Sequence, residues 1–187
     1  MAHASRRRRP RGLKLSLRKA TLIDLDVLVH QRRAMWIELG VKNGTAHEKG
    51  DRAYNRWVRA RLKKGQFMGW IVEDQGGRVG GGGCLWLQPV QPRPHRLAMV
   101  QPYLLSMYTE PEFRGLGVAS MVVTAAVEWC RRNHYERLML HASVMGRSVY
   151  RRLGFKRTWE MRLDLGISPR SRTVGKSEVV AARHVPH

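Results

Sequence analysis

The stretch from residue 104 to residue 120, LLSMYTEPEFRGLGVAS, constrains the fold more than any other part of the chain. An apolar strand ends in a polar bend, and a glycine-bearing loop then opens a helix whose apolar residues recur every three or four positions. These residues are Val118, Met121, Val122, Ala125, Ala126 and Trp129. The first peptide N–H groups of a helix lack intrahelical acceptors and carry the positive end of its dipole. The loop at Gly115 and Gly117 therefore predicts a binding site for a phosphate group.

Two common phosphate-binding loops do not fit these residues. A dinucleotide-binding loop has three glycines in the pattern G-x-G-x-x-G, but Ser120 occupies the third place. A nucleotide-triphosphate loop needs a lysine directly after its last glycine, and no lysine follows Gly117. The sequence therefore predicts neither of these sites.

Two motifs resemble those of the GNAT superfamily of N-acetyltransferases. RGLGVA, from Arg114 to Ala119, matches the family's pyrophosphate-binding pattern Gln/Arg-x-x-Gly-x-Gly/Ala at every defined position. Further along, SVMGRSVYRRLGF at 143–155 is similar to the family's N-x-x-A-x-x-(L/F)-Y-x-x-x-G-F, with Ser143 and Gly146 in place of the usual Asn and Ala. The two motifs stand in the expected order, and the resemblance covers roughly residues 13–165.

The resemblance implies acetyl-CoA as the acetyl donor, and it implies which residues bind it. Main-chain groups of 107–109 would hold the pantetheine arm and the acetyl oxygen, and 114–120 the pyrophosphate. The expected acetyl-CoA-binding residues are Met107, Tyr108, Thr109, Arg114, Gly115, Leu116, Gly117, Val118, Ala119, Ser120 and Ser143.

Acetyl transfer from a thioester to an amine needs a neutral amine, a polarised carbonyl oxygen and a proton for the departing thiolate. Tyr150 is the predicted acid, because it lies about 100° round its helix from the apolar stripe and stands where the family has a tyrosine. Glu110, just past the expected cleft, is the candidate base, directly or through water, with a structural ion pair to Arg114 as the alternative. His141 is expected to be a hydrogen-bonded histidine, and His95 is a further candidate on the substrate side.

The order of predicted elements indicates a mixed α/β or α+β fold and not a doubly wound one. The resemblance implies a mostly antiparallel sheet that is splayed between its fourth and fifth strands and flanked by about four helices. Gly80 to Gly83 is read as a bulge or a close backbone approach, because no helix follows it. The predicted elements are a strand from 13, a helix capped by Thr21 and Asp24, a helix from about 54 to 62, strands at 67–73, 84–87 and 99–109, a helix at 116–132, a strand at 137–141, a helix at 145–153 and a final strand at 155–165.

The charge is unevenly distributed. Lys and Arg number 35 against 14 Asp and Glu, which gives a net charge of +21. We expect a disordered basic arm over residues 1–12, one acetyltransferase domain over 13–165, and a flexible basic tail over 166–187. Such a field attracts anions, CoA and nucleic acid included, but the tails lack the interleaved aromatic residues of a specific RNA-binding module.

Other features limit the location and the chemistry. Cys84 and Cys130 lack metal-ligand spacing, so no metal is predicted and a reducing compartment is expected. No apolar run approaches 18 residues, and the basic start lacks the apolar stretch of a signal peptide, so we expect a cytoplasmic protein without a membrane association. The sequence leaves open a monomer or a homodimer.

The function predicted from the sequence is direct transfer of an acetyl group from acetyl-CoA to a primary amine of an unidentified small molecule or protein. The alternative is a nucleic-acid-binding or degenerate acyl-CoA-binding module that uses the basic surface.

Overall fold

The computed structural model describes residues 13–42, 44–94 and 97–163. The predicted arm at 1–12, the tail at 166–187 and His95 lie outside the described residues. The chain divides into two compact units, Met1–Phe155 and Lys156–His187, and the sheet and helices described here belong to the first.

The first unit is built on a five-stranded sheet whose strands follow one another in chain order. These are β1 (Leu15–Lys19), β2 (Phe67–Asp74), β3 (Val79–Pro89), β4 (Val100–Thr109) and β5 (Met139–Leu140). β1 to β4 pair antiparallel, whereas β5 runs parallel to β4. The pairing of β4 with β5 is limited to Tyr103 with Met139 and Leu104 with Leu140. The sheet therefore opens beyond Leu104, as predicted, and the rest of β4 borders a cleft.

Four α-helices flank the sheet: α1 (Leu25–Glu38), α2 (Thr45–Lys63), α3 (Val118–Arg132) and α4 (Arg147–Arg152). The turn before α1 contains the predicted capping box, in which the Thr21 N–H donates to Asp24 Oδ2 at 2.7 Å. Arg18 holds the same carboxylate from β1, with Nη2 2.8 Å from Oδ1. Asp24 therefore joins the start of α1 to the edge of the sheet.

The two faces of the sheet carry different hydrophobic clusters, because successive side chains of a strand point to opposite faces. We call them the α3 face and the α1/α2 face. Leu104 packs in the cluster of the α3 face and Leu105 in that of the α1/α2 face. The buried residues on the α3 face are Trp70, Val72, Leu85, Leu104, Phe113, Leu116, Val118, Val122, Val123, Ala126, Cys130 and Tyr150. Those on the α1/α2 face are Leu25, Leu28, Tyr54, Val58, Phe67 and Cys84.

The glycine run of β3 is explained by close packing, as predicted. Its pairing with β2 and with β4 shifts register inside the run. A Cβ atom on Gly81 would lie 2.5 Å from the Tyr108 carbonyl oxygen of β4, and Gly81 adopts φ +148°, so this position requires glycine. The glycine run therefore allows the backbone of β4 to lie close to β3.

Three predicted strands differ from the structure, and the one expected at 84–87 extends over Val79–Pro89. The strand expected at 137–141 is reduced to Met139–Leu140. The strand expected at 155–165 is wrong, because residues 155–163 form no strand. This segment alternates apolar and polar residues, yet Trp159 and Met161 are 95% and 96% exposed. A strand also needs a neighbouring backbone to pair its N–H and C=O groups, and the described residues supply none to this segment.

Candidate active site

The loop before α3 presents unpaired backbone donors. Gly117 is the N-cap of α3 and adopts a left-handed conformation at φ +94°, and Gly115 does so at φ +79°. The first bond of the helix runs from the Met121 N–H to the Gly117 carbonyl at 3.0 Å. Within the described chain, the N–H groups of 118–120 have no backbone acceptor. Three amides and the positive end of the helix dipole thus converge at one point, which suits a phosphate group.

Apolar anchors hold this loop in place. Phe113, Leu116 and Val118 are 5%, 9% and 1% exposed and belong to the cluster of the α3 face. Gly115 and Gly117, which alternate with these anchors, are exposed. The buried side chains therefore fix the loop while its glycine backbone faces outward.

Arg114, a predicted pyrophosphate residue, is directed towards α1 and the end of β4. Its Nε donates to the Thr109 carbonyl at 3.1 Å, and its Nη2 contacts the carboxylate of Glu38 at the end of α1. The hydrogen bond to Glu38 raises the pKa of Arg114, so its charge is permanent. Arg114 thus joins α1 to the mouth of the loop.

Glu110, the predicted base, pairs with a histidine. Its Oε1 lies 3.0 Å from His30 Nε2 of α1, and the His30 ring meets Tyr108 edge-on at 6.5 Å between centroids. The structural alternative of an ion pair with Arg114 is therefore not formed, and the partner is one that the sequence did not suggest.

The central irregularity of β4 is at Ser106, which adopts φ +52° although it is not glycine. It lies where the register with β3 shifts, and it is 7% exposed. The Tyr54 hydroxyl of α2 reaches Ser106 Oγ at 3.4 Å, and burial raises the pKa of Tyr54. This bulge redirects β4 where the cleft begins. The only signal of it in the sequence was the glycine run of the neighbouring strand.

Tyr150, the predicted acid, lies on α4 in the same buried cluster as Leu116 and Val118. It is 9% exposed, and its ring meets Phe155 edge-on at 5.8 Å between centroids. Burial raises the pKa of Tyr150 to about 12, so the phenol keeps its proton at neutral pH. The acid candidate and the phosphate loop therefore share one packing unit.

Ser143 and Gly146, the two departures from the family's second motif, each have a local structural role. The hydroxyl of Ser143 accepts the Gly146 N–H at 3.1 Å and so orders the turn that opens α4. A Cβ atom on Gly146 would lie 3.0 Å from Tyr150 Cε2. The glycine therefore gives the tyrosine ring its space.

The α1/α2 face also carries buried polar side chains. Arg33 of α1 pairs with the carboxylate of Asp51 of α2, which is 7% exposed. Gln31 is 1% exposed and its side-chain amide has no hydrogen-bond partner within the described chain. Further along β4, the Tyr103 hydroxyl contacts His141 Nδ1, as expected of a hydrogen-bonded histidine.

Comparison with known proteins agrees with this geometry. The sequence model of the Acetyltransferase (GNAT) family matches residues 31–155, which is more than half of the chain. Two solved structures superpose with a TM-score of 0.73 at 26% identity over 81% of this chain. One is a predicted acetyltransferase with acetyl-CoA from Clostridium acetobutylicum, covered over 97% of its length, and the other a GCN5-related N-acetyltransferase from Ralstonia eutropha JMP134, covered over 99%.

More distant structures share the fold alone. Glucosamine-6-phosphate N-acetyltransferase from Arabidopsis thaliana is 15% identical, with a TM-score of 0.61 over 82% of this chain and 99% of its own. No curated protein matches the chain. No helix within residues 13–42, 44–94 and 97–163 is long and apolar enough to cross a membrane.

Proposed function

We propose that this chain, which belongs to the GNAT family of acetyltransferases, moves an acetyl group from acetyl-CoA directly to a primary amine. The observation that carries the proposal is the set of unpaired amides at the start of α3, packed in one unit with a buried, protonated Tyr150. A phosphate site and a proton donor within one packing unit suit an acetyl donor whose diphosphate must be held while its sulfur departs.

In this proposal acetyl-CoA occupies the α3 face of the cleft. The amides of Val118, Ala119 and Ser120 bind its diphosphate, the loop from Gly115 to Gly117 gives access to them, and Arg114 adds charge at the mouth of the loop. Main-chain groups of Met107, Tyr108 and Thr109 hold the pantetheine arm and the acetyl oxygen. Their edge of β4 lies beyond the last pair with β5, which supports this assignment. Ser143 contributes by ordering the turn before α4.

The reaction follows from these placements. The amine nitrogen attacks the thioester carbonyl, the carbon–sulfur bond breaks, and the thiolate takes the proton of the Tyr150 hydroxyl, which is regained from solvent. The attacking amine loses its own proton through water to Glu110, whose carboxylate His30 Nε2 holds in place from 3.0 Å. Backbone N–H groups stabilise the negative charge on the carbonyl oxygen.

Free-thiol release from acetyl-CoA tests the activity, measured across a panel of amines and peptides. We expect time-dependent release with at least one acceptor and equal formation of its N-acetyl product by mass spectrometry. Saturable acetyl-CoA binding without product on any acceptor would contradict the transferase and favour the degenerate acyl-CoA-binding module. The comparisons do not favour the nucleic-acid-binding alternative. A cytoplasmic location, the domain limits at 13 and 165 and a monomeric or homodimeric state stay predictions.

A further inference from the structure

One cation on the α1/α2 face differs from its neighbours. Three other basic side chains that lie on α1 or contact it pair with carboxylates: Arg33 with Asp51, His30 with Glu110 and Arg114 with Glu38. Arg32, half-buried on α1, has no carboxylate within 4.0 Å in the part of the chain that the structure describes. Among the described residues, its charge is thus left without a carboxylate partner.

Aromatic rings hold Arg32 in place. Its Cζ lies 4.6 Å from the ring centroid of Tyr54 and 5.9 Å from that of Trp36. Trp57 stacks near-parallel to Tyr54 at 6.2 Å, so the supporting ring is itself fixed. A guanidinium attracted to ring faces still has its N–H edges available, because the cation–π contact uses none of its five donors. The side chain is therefore preorganised as a donor.

The position of Arg32 relates it to the opening of the sheet. The Arg32 guanidinium packs on the face of the Tyr54 ring, and the hydroxyl of the same tyrosine contacts Ser106 at the β4 bulge. Arg32 is thus separated from the bulge by a single tyrosine. It lies on the α1/α2 face, opposite the face that carries the phosphate loop and Tyr150. A molecule bound at Arg32 would approach the bulge from the side away from the proposed acetyl-CoA site.

We propose that the acetyl acceptor is an amine that also carries an anionic group, a carboxylate or a phosphate, and that Arg32 binds this group. The inference rests on the proposed function, since it assigns the acceptor class of the same site. A planar guanidinium makes paired hydrogen bonds to either anion, which fixes the direction of the attached amine. The net charge of +21 acts in the same sense, because it concentrates anions at the surface.

Matched acceptor pairs test the proposal. L-Phenylalanine is compared with phenethylamine for the carboxylate, and glucosamine 6-phosphate with glucosamine for the phosphate. We expect the wild type to use the anionic member of one pair at least tenfold better in kcat/KM, and the preferred pair identifies the anion. Arg32→Gln should abolish that preference by raising KM for the anionic member more than tenfold, with kcat for the neutral member and the acetyl-CoA Kd unchanged.

Two further variants separate recognition from general charge and from folding. Arg32→Lys keeps the charge but not the paired donors, so it should recover only part of the preference. Arg56→Gln removes an exposed cation about 200° round α2 from Tyr54 and should leave the preference intact. The inference would be overturned if the wild type had equal kcat/KM for both members of each pair, or if Arg32→Gln lowered kcat/KM equally for both members. Either result would leave the proposed acetyltransferase activity intact. Absence of both acetyl-CoA binding and thiol release would instead refute the proposed function, and the inference with it.

Discussion

The two faces of the sheet are built by different means. The α3 face packs apolar side chains around a loop whose exposed functional groups are backbone amides. The α1/α2 face uses ion pairs, an arginine on aromatic rings, and buried polar atoms that have no hydrogen-bond partner among the described residues, including His47 Nε2 and Asp51 Oδ1. Backbone amides are common to all residues, whereas side chains vary with sequence. A site made of backbone amides suits an acetyl donor that does not change. A site made of side chains suits a particular acetyl acceptor.

The largest expected effect tests the chemistry assigned to the α3 face. Tyr150→Phe removes the proposed proton donor and keeps the buried ring, so kcat should fall on the order of 100-fold while the acetyl-CoA Kd stays the same. Single-turnover thiol release measures the chemical step. Tyr135→Phe is the matched control, because Tyr135 stacks on Trp129 at 5.7 Å and has no proposed role. Unchanged turnover in Tyr150→Phe, or an equal fall in both variants, would remove Tyr150 from the acid role.

A smaller effect is expected in the stability of the α1/α2 face. Asp51→Ala leaves Arg33 without its carboxylate, so the free energy of unfolding should fall by about 2 kcal/mol in urea titration. Glu128→Ala, at an exposed position of α3, should change it by about 0.5 kcal/mol or less. Comparable losses in the two variants would mean that the pair between α1 and α2 does not stabilise this face.

The smallest expected effect concerns alkaline pH. Because burial raises the pKa of Tyr150 to about 12, kcat should show no loss from its ionisation below about pH 10. The folded pKa lies above the unfolded value, so the stability from this group is complete below about pH 10 and is lost as the pH rises towards 12. A pH profile of kcat, with Tyr150→Phe as reference, measures this. A Tyr150-dependent decline near pH 8 would show that the phenol is not desolvated.

Local patterns in the sequence predicted the α3 face well. The apolar period of α3 and the glycine loop at its start depend on a few neighbouring residues, as does the cap at Thr21 before α1, and each is confirmed. Pairs such as Arg114 with Glu38 and Glu110 with His30 join residues 76 and 80 positions apart, and no local pattern encodes them. The strand expected at 155–165 was wrong for a related reason. Alternation of apolar and polar residues indicates which side chains share a face, but it does not indicate which backbone the strand pairs with.

The central claim is that backbone amides at the start of α3 bind the diphosphate of coenzyme A, and calorimetric titration tests it most directly. Gly115 and Gly77 offer a matched comparison, because they adopt φ +79° and +77° and neither has an atom within 4 Å of an added Cβ. We expect saturable binding of CoA to the wild type and to Gly77→Val, with affinity at least tenfold weaker in Gly115→Val and for pantetheine, which lacks the diphosphate. Absence of saturable binding to the folded wild type, or equal affinities in the two variants, would contradict the account.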